Sequence, residues 1–101
     1  MQTVVARFKI QPGKEAEAEA AMKTQAAAVE SSEPGALAYI FSRNRKEPME
    51  ITVFEVYADD DALTGHRTTA HMAQFGSLFG STFDPATVKI ERLERIAGFS
   101  R

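Results

Sequence analysis

Apolar and polar positions alternate along residues 3–10, "TVVARFKI". Val4, Ala6, Phe8 and Ile10 share one face, and Val5, Arg7 and Lys9 the other. A period of two predicts a strand. "QPGK" (11–14) stops it, because Pro and Gly break the ladder. Residues 14–31 are rich in Ala, Glu, Lys, Gln and Met and predict a helix. Glu15, Glu17 and Glu19 sit at its positive N-terminus, and Ala18, Met22, Gln25/Ala26 and Val29 form its buried stripe. "EPG" (33–35) ends the helix, since a residue before proline avoids helical dihedrals.

Two further strands follow at 36–44 and 50–57, joined by a short link that predicts an antiparallel hairpin. Residues 58–66 predict a short helix capped by Asp59 or Asp60, and 68–83 another, capped by Thr68 or Thr69. The second has Met72, Phe75, Phe79 and Leu78 on its apolar stripe, and Gly76 and Gly80 weaken it. Residues 86–96 predict a last strand. Leu93 is out of phase with Val88 and Ile90, so a bulge or a change of packing partner is expected near Glu91–Arg92. The order β-α-β-β-α-β, with its second helical segment broken in two, is the ferredoxin-like pattern of an α+β fold with an antiparallel sheet.

Helices in this topology cover one face of the sheet. An open second face should read polar, yet residues 36–41 are apolar on both faces and residues 51–56 nearly so. Monomers rarely expose such a patch, so a homodimer through the open sheet face is expected.

Composition narrows the rest. A chain of 101 residues is expected to be a single domain spanning 1–101, with its core at about 3–96. The formal net charge of −2 is no footprint for nucleic acid or an anionic membrane. No apolar run approaches a membrane span, no secretory signal is visible, and cysteine is absent. A cytoplasmic protein is therefore expected. Without cysteine there is no disulfide, thiolate zinc site or Cys nucleophile.

The chemistry-bearing residues are few. "GHRTTAH" (65–71) holds both histidines. On one continuous helix His66 and His71 would lie about 140° apart, unlike the i, i+4 spacing of helical metal ligands. A break at Arg67–Thr68 could bring them together, but Glu55 is the only evident third ligand, so no metal site is expected. His71 borders the apolar stripe and is the favoured acid or base; His66, at a helix end, reads as a cap or a helix–helix link. Glu55 lies in an apolar strand and needs a partner, with Arg7 a candidate. Tyr39 and Tyr57 share its face and could donate hydrogen bonds. Asn44 lies at a strand end, where a turn role competes with a place at a pocket mouth.

Taken in order, "FKIQPGKEAEAE", "SSEPGALAYIFSRN", "EITVFEVYADDDALTGHRTTAHMAQF" and the closing strand resemble the antibiotic biosynthesis monooxygenase domain. That resemblance implies a dimeric α+β barrel with a pocket between sheet and helices in each subunit. It implies a cofactor-independent monooxygenase acting with O2 on a small aromatic, quinol or polyketide-like substrate, with no cofactor. The absence of tryptophan and of a first-strand Asn disfavours the haem-degrading branch. For that chemistry His71, His66, Tyr57 and Glu55 are the catalytic candidates. Tyr39, Asn44, Phe54, Met72, Phe75 and Phe79 are the substrate-binding candidates. An isomerase or tautomerase on the same fold, or a non-catalytic dimeric small-molecule-binding protein, are the alternatives.

Overall fold

A computed structural model describes all 101 residues. Its elements are β1 (Gln2–Ile10), α1 (Glu15–Ser32), β2 (Ala36–Arg43), β3 (Glu50–Tyr57), α2 (Asp60–Arg67), α3 (Ala70–Gly76) and β4 (Phe83–Leu93). All strand pairs are antiparallel, in the order β2-β3-β1-β4. The ferredoxin-like α+β fold is thus the fold of this chain. No helix is long and apolar enough to cross a membrane.

Register assigns each side chain to a face. Val4 pairs with Glu55, Ala6 with Val53 and Phe8 with Ile51, while Tyr39 and Phe41 of β2 pair with the same Glu55 and Val53. These residues face the helices. There α1 contributes Ala18, Met22, Gln25 and Val29, the stripe its sequence implies. Around Phe8 the rings of Phe75, Phe79 and Phe83 gather at centroid distances of 6.3, 5.1 and 5.1 Å. Edge-on contacts of this kind add to the burial of large apolar area.

The opposite face carries Val5, Phe54, Ile40 and Val56. Phe54 and Ile40 remain 40% and 53% exposed, so no element of this chain covers the centre of that face. Phe54 therefore cannot line a pocket under the helices: one step along a strand reverses the side-chain direction.

Three expectations change. Of the two alternatives near Glu91–Arg92 the bulge is absent: the ladder is regular from Thr3–Leu93 to Arg7–Lys89, and the shift lies between Arg7 and Lys9. Leu93 is out of phase with Val88 and Ile90 because it belongs to the open face, while Ile90 pairs with Ala6 on the helix face. The helix expected over 68–83 stops at Gly76; turns follow, and β4 starts earlier, at Phe83. Gly80 takes φ 124°, a backbone conformation that a helix does not use.

Helices α2 and α3 are separated by a local exchange of hydrogen bonds. The hydroxyls of Thr68 and Thr69 donate to the carbonyls of Gly65 and His66, which closes α2. The Thr69 hydroxyl then accepts from the Met72 N–H and starts α3. Asp59 caps α2 in the same way through the Ala62 N–H, at 2.8 Å.

Gly35 follows Pro34 where α1 hands over to β2. A Cβ there would lie 2.7 Å from the Ala62 Cβ on α2. This close approach sets the α1–β2 turn against α2. Gly35→Ala is expected to destabilise the fold by roughly 1–3 kcal/mol through overpacking. Urea unfolding measures this, and Ala62→Gly in the same chain should restore most of the loss.

Candidate functional site

Under the helices, a cavity of about 340 Å³ opens against the sheet. Val4, Ala6, Phe8 and Val53 form its floor, and Met72, Phe75 and Phe79 its roof. Val88 and Ile90 of β4 form its outer rim; they are 40% and 62% exposed because the helices do not reach that far. Into this apolar space come four polar side chains: Tyr39, Glu55, His66 and Arg67.

Glu55 is 8% exposed. Its Oε1 accepts a hydrogen bond from the Tyr57 hydroxyl at 2.5 Å. Burial pushes its carboxyl above the usual range, against the opposing pull of the Tyr57 bond and of His66 and Arg67. Tyr57 is fully buried and Tyr39 partly so. Desolvation raises both phenols, and Glu55 raises them further. Both phenols therefore stay neutral donors. The Tyr39 hydroxyl accepts from the Gln25 side-chain amide of α1 at 3.4 Å. Arg7, the partner expected for Glu55, is on the other face of the sheet and pairs with Glu91 at 2.5 Å.

His66 is 5% exposed and lies between two tyrosines, its ring centre 5.3 Å from both Tyr39 and Tyr57. Its Nδ1 lies 2.9 and 3.0 Å from the two carboxylate oxygens of Glu33. His71 Nε2 meets Glu33 Oε2 at 2.5 Å. One buried carboxylate thus bridges the two histidines. The break at Thr68–Thr69 makes this possible, because a continuous helix would turn His71 away from His66.

The sequence candidates divide accordingly. Glu55, His66, Tyr39, Met72, Phe75 and Phe79 share the cavity. His71 does not line it; its ring is held outward on Glu33. Tyr57 lies behind Glu55 and acts on the cavity only through it. Asn44 is engaged at the hairpin, where its side chain donates to Glu50 and accepts from the backbone of Lys46 and Glu47. Phe54 is on the far face. Glu33 is the residue that sequence reasoning missed. In "SSEPG" it reads as a helix terminator, and only its position before Pro34 marks it.

Glu33, His66 and His71 are also the one set of residues that could ligate a metal ion, with ligand atoms within 4.8 Å of one another. Ligands at about 2.1 Å from a tetrahedral ion lie about 3.4 Å apart, whereas Glu33 meets His66 at 2.9 Å and His71 at 2.5 Å. The present spacing is that of hydrogen bonds.

The buried Glu55 carboxyl has a consequence for stability. Its folded pKa lies above the unfolded value, so its favourable contribution is complete at low pH. That contribution is lost as pH rises past the unfolded value and through the folded one. Thermal unfolding followed from pH 4 to pH 8 should show that loss in the wild type. Glu55→Gln should remove this component and flatten the profile.

Comparison with known proteins agrees with the fold. The family model for antibiotic biosynthesis monooxygenase matches residues 1–77. A Caulobacter crescentus protein, a candidate antibiotic biosynthesis monooxygenase, is 36% identical over 95% of this chain and 90% of its own, with TM-score 0.87. A Pseudomonas aeruginosa protein is 27% identical over 95% of this chain and 94% of its own, with TM-score 0.84. A Mycobacterium tuberculosis protein shares the fold at 22% identity over 98% of both chains, with TM-score 0.85. No functionally curated protein matches the chain. With the family model spanning most of its length and a relative at more than a third identity, this chain belongs to the antibiotic biosynthesis monooxygenase family.

Proposed function

We propose that the protein is a cofactor-independent monooxygenase acting on a small aromatic, quinol or polyketide-like substrate. One observation carries this reading: an imidazole nitrogen without a partner at the wall of an apolar cavity. His66 Nδ1 is taken by Glu33, and its Nε2 makes no hydrogen bond. No side-chain polar atom sealed from solvent lacks a partner, so Nε2 is not sealed, and His66 borders the apolar cavity. Family membership supports the monooxygenase class, and the apolar lining supports a ring-bearing substrate.

In this reading His66 Nε2 removes a proton from an activated C–H or O–H of the substrate. The resulting anion gives its electrons to O2, and a C–O bond forms as a peroxide. His66 returns its proton to the outer peroxide oxygen, which regenerates the base. Loss of the remaining hydrogen from the oxygenated carbon as a proton then drives its electron pair into a C=O bond, breaks the O–O bond and lets the departing hydroxide leave as water. Tyr39 donates a hydrogen bond to the developing oxyanion. His66 takes the role that the sequence favoured for His71, because only His66 borders the cavity.

Oxygen uptake with an anthrone and quinol panel tests this. The chelator-treated wild type should consume O2 with at least one member. His66→Ala should lower kcat by roughly 10²–10⁴-fold. Failure of every candidate to consume O2 would leave isomerisation or simple binding in the same cavity. Isomerisation would show as His66-dependent turnover without oxygen.

We also infer that the open face is the contact of a homodimer. Ile40, Phe54 and Leu93 stay exposed around Val5 and Val56, an apolar patch on one flat sheet face. Light scattering should give about twice the chain mass of 11.1 kDa. Phe54→Asp should shift it to the monomer mass.

A further inference from the structure

We propose that Glu33 and His71 are positioning residues that hold His66 as its Nδ1–H tautomer, so that Nε2 faces the cavity as a base. The proposal rests on the reading of the cavity as the reaction site, and it assigns a role to two residues that do not touch the substrate.

A carboxylate only accepts hydrogen bonds, so the nitrogen facing it must carry the hydrogen. At 2.9 and 3.0 Å from the Glu33 oxygens, His66 Nδ1 is that donor. In a neutral ring the other nitrogen is then the acceptor. Free imidazole side chains favour the opposite tautomer, with hydrogen on Nε2. The Glu33 contact therefore selects the form that a proton acceptor in the cavity requires.

His71 holds the carboxylate in place. Its Nε2 donates to Oε2 at 2.5 Å, from the first turn of α3. Glu33 is thus tied to α2 through His66 and to α3 through His71. Its side chain is 10% exposed, and it has no other charged partner. The backbone fixes its origin, since Glu33 N–H donates to Val29 O and its carbonyl accepts from Ala36 N–H. A second hollow, of about 260 Å³, lies on the outer side of the Glu33–His66 pair and is lined by Ser32, Pro34 and Thr69. His66 therefore stands as a wall between that outer hollow and the apolar cavity, with one ring nitrogen committed to the carboxylate.

The same three residues in a merely structural clasp would show no tautomer dependence in turnover. Long-range 1H–15N spectra of uniformly labelled full-length protein read the His66 tautomer directly. The wild type should show Nδ1–H. Glu33→Ala should move His66 toward Nε2–H and lower kcat at least about tenfold, with KM changed less than about threefold. Glu33→Asp keeps the acceptor and should retain the Nδ1–H form. His71→Ala should keep that form but weaken the kcat effect relative to Glu33→Ala. If Glu33→Ala does not fold, the wild-type, Glu33→Asp and His71→Ala spectra still decide. Nε2–H in the wild type, or Nδ1–H retained without Glu33, would overturn the proposal. So would stoichiometric Co2+ binding with loss of the His66 N–H signal, since the cluster would then be a metal site. A wild type with the Nδ1–H form but no turnover would instead count against the cavity as a reaction site.

Discussion

The carboxylate of Glu33, buried between two imidazoles, ties together the parts of the fold that meet at the cavity. It comes from the turn between α1 and β2, and it reaches one histidine on α2 and another on α3. Losing one partner of a buried charged hydrogen bond leaves the other unsatisfied, which costs more than the bond contributes. The contact therefore works as a constraint. It sets how α2 and α3 sit against the end of α1, and with them the roof of the cavity. Close approach of Gly35 to Ala62 is the steric counterpart of the same junction.

A second polar cluster reaches the cavity from the sheet. Glu55 stands in a strand otherwise filled with apolar residues, and Tyr57, two positions on and on the same face, satisfies it. Burial makes the carboxyl harder to ionise and the phenols harder still. The cavity wall is thus mostly apolar but carries an imidazole from the helices and a neutral phenol and a buried carboxyl from the sheet. Groups with opposed tendencies facing one small space are how a protein can move a proton without a metal or organic cofactor.

Coverage of the sheet is unequal and leaves two gaps. Three helices shield the centre of one face but leave Val88 and Ile90 of β4 exposed at the cavity mouth. The opposite face is left to Phe54, Ile40 and Leu93. Apolar strands on a face that no helix covers account for the dimer expectation, and alternation alone explains why Phe54 belongs to that surface and not to the pocket.

Much of this was legible in the chain itself. Period-two runs marked β1, β2 and β3, and the Ala-rich stripe marked α1 with its four buried residues. Asp59 and Thr69 announced the starts of α2 and α3, because short polar side chains cap helices by local hydrogen bonds. Met72, Phe75 and Phe79 were recognisable as one apolar stripe, and Glu55 as a buried charge in need of a partner. These features depend on neighbours within a few residues, so the sequence determined them. It could not decide that Tyr57 rather than Arg7 serves Glu55, because that depends on strand face. Nor could it decide that Asn44 turns to the hairpin, or that Leu93 changes face without a bulge. Above all, it could not join Glu33 to His66 and His71 across 33 and 38 positions. Only the packing of the α1–β2 turn against α2, and of α1 against α3, brings these groups to hydrogen-bonding distance, and that packing decided which histidine borders the cavity.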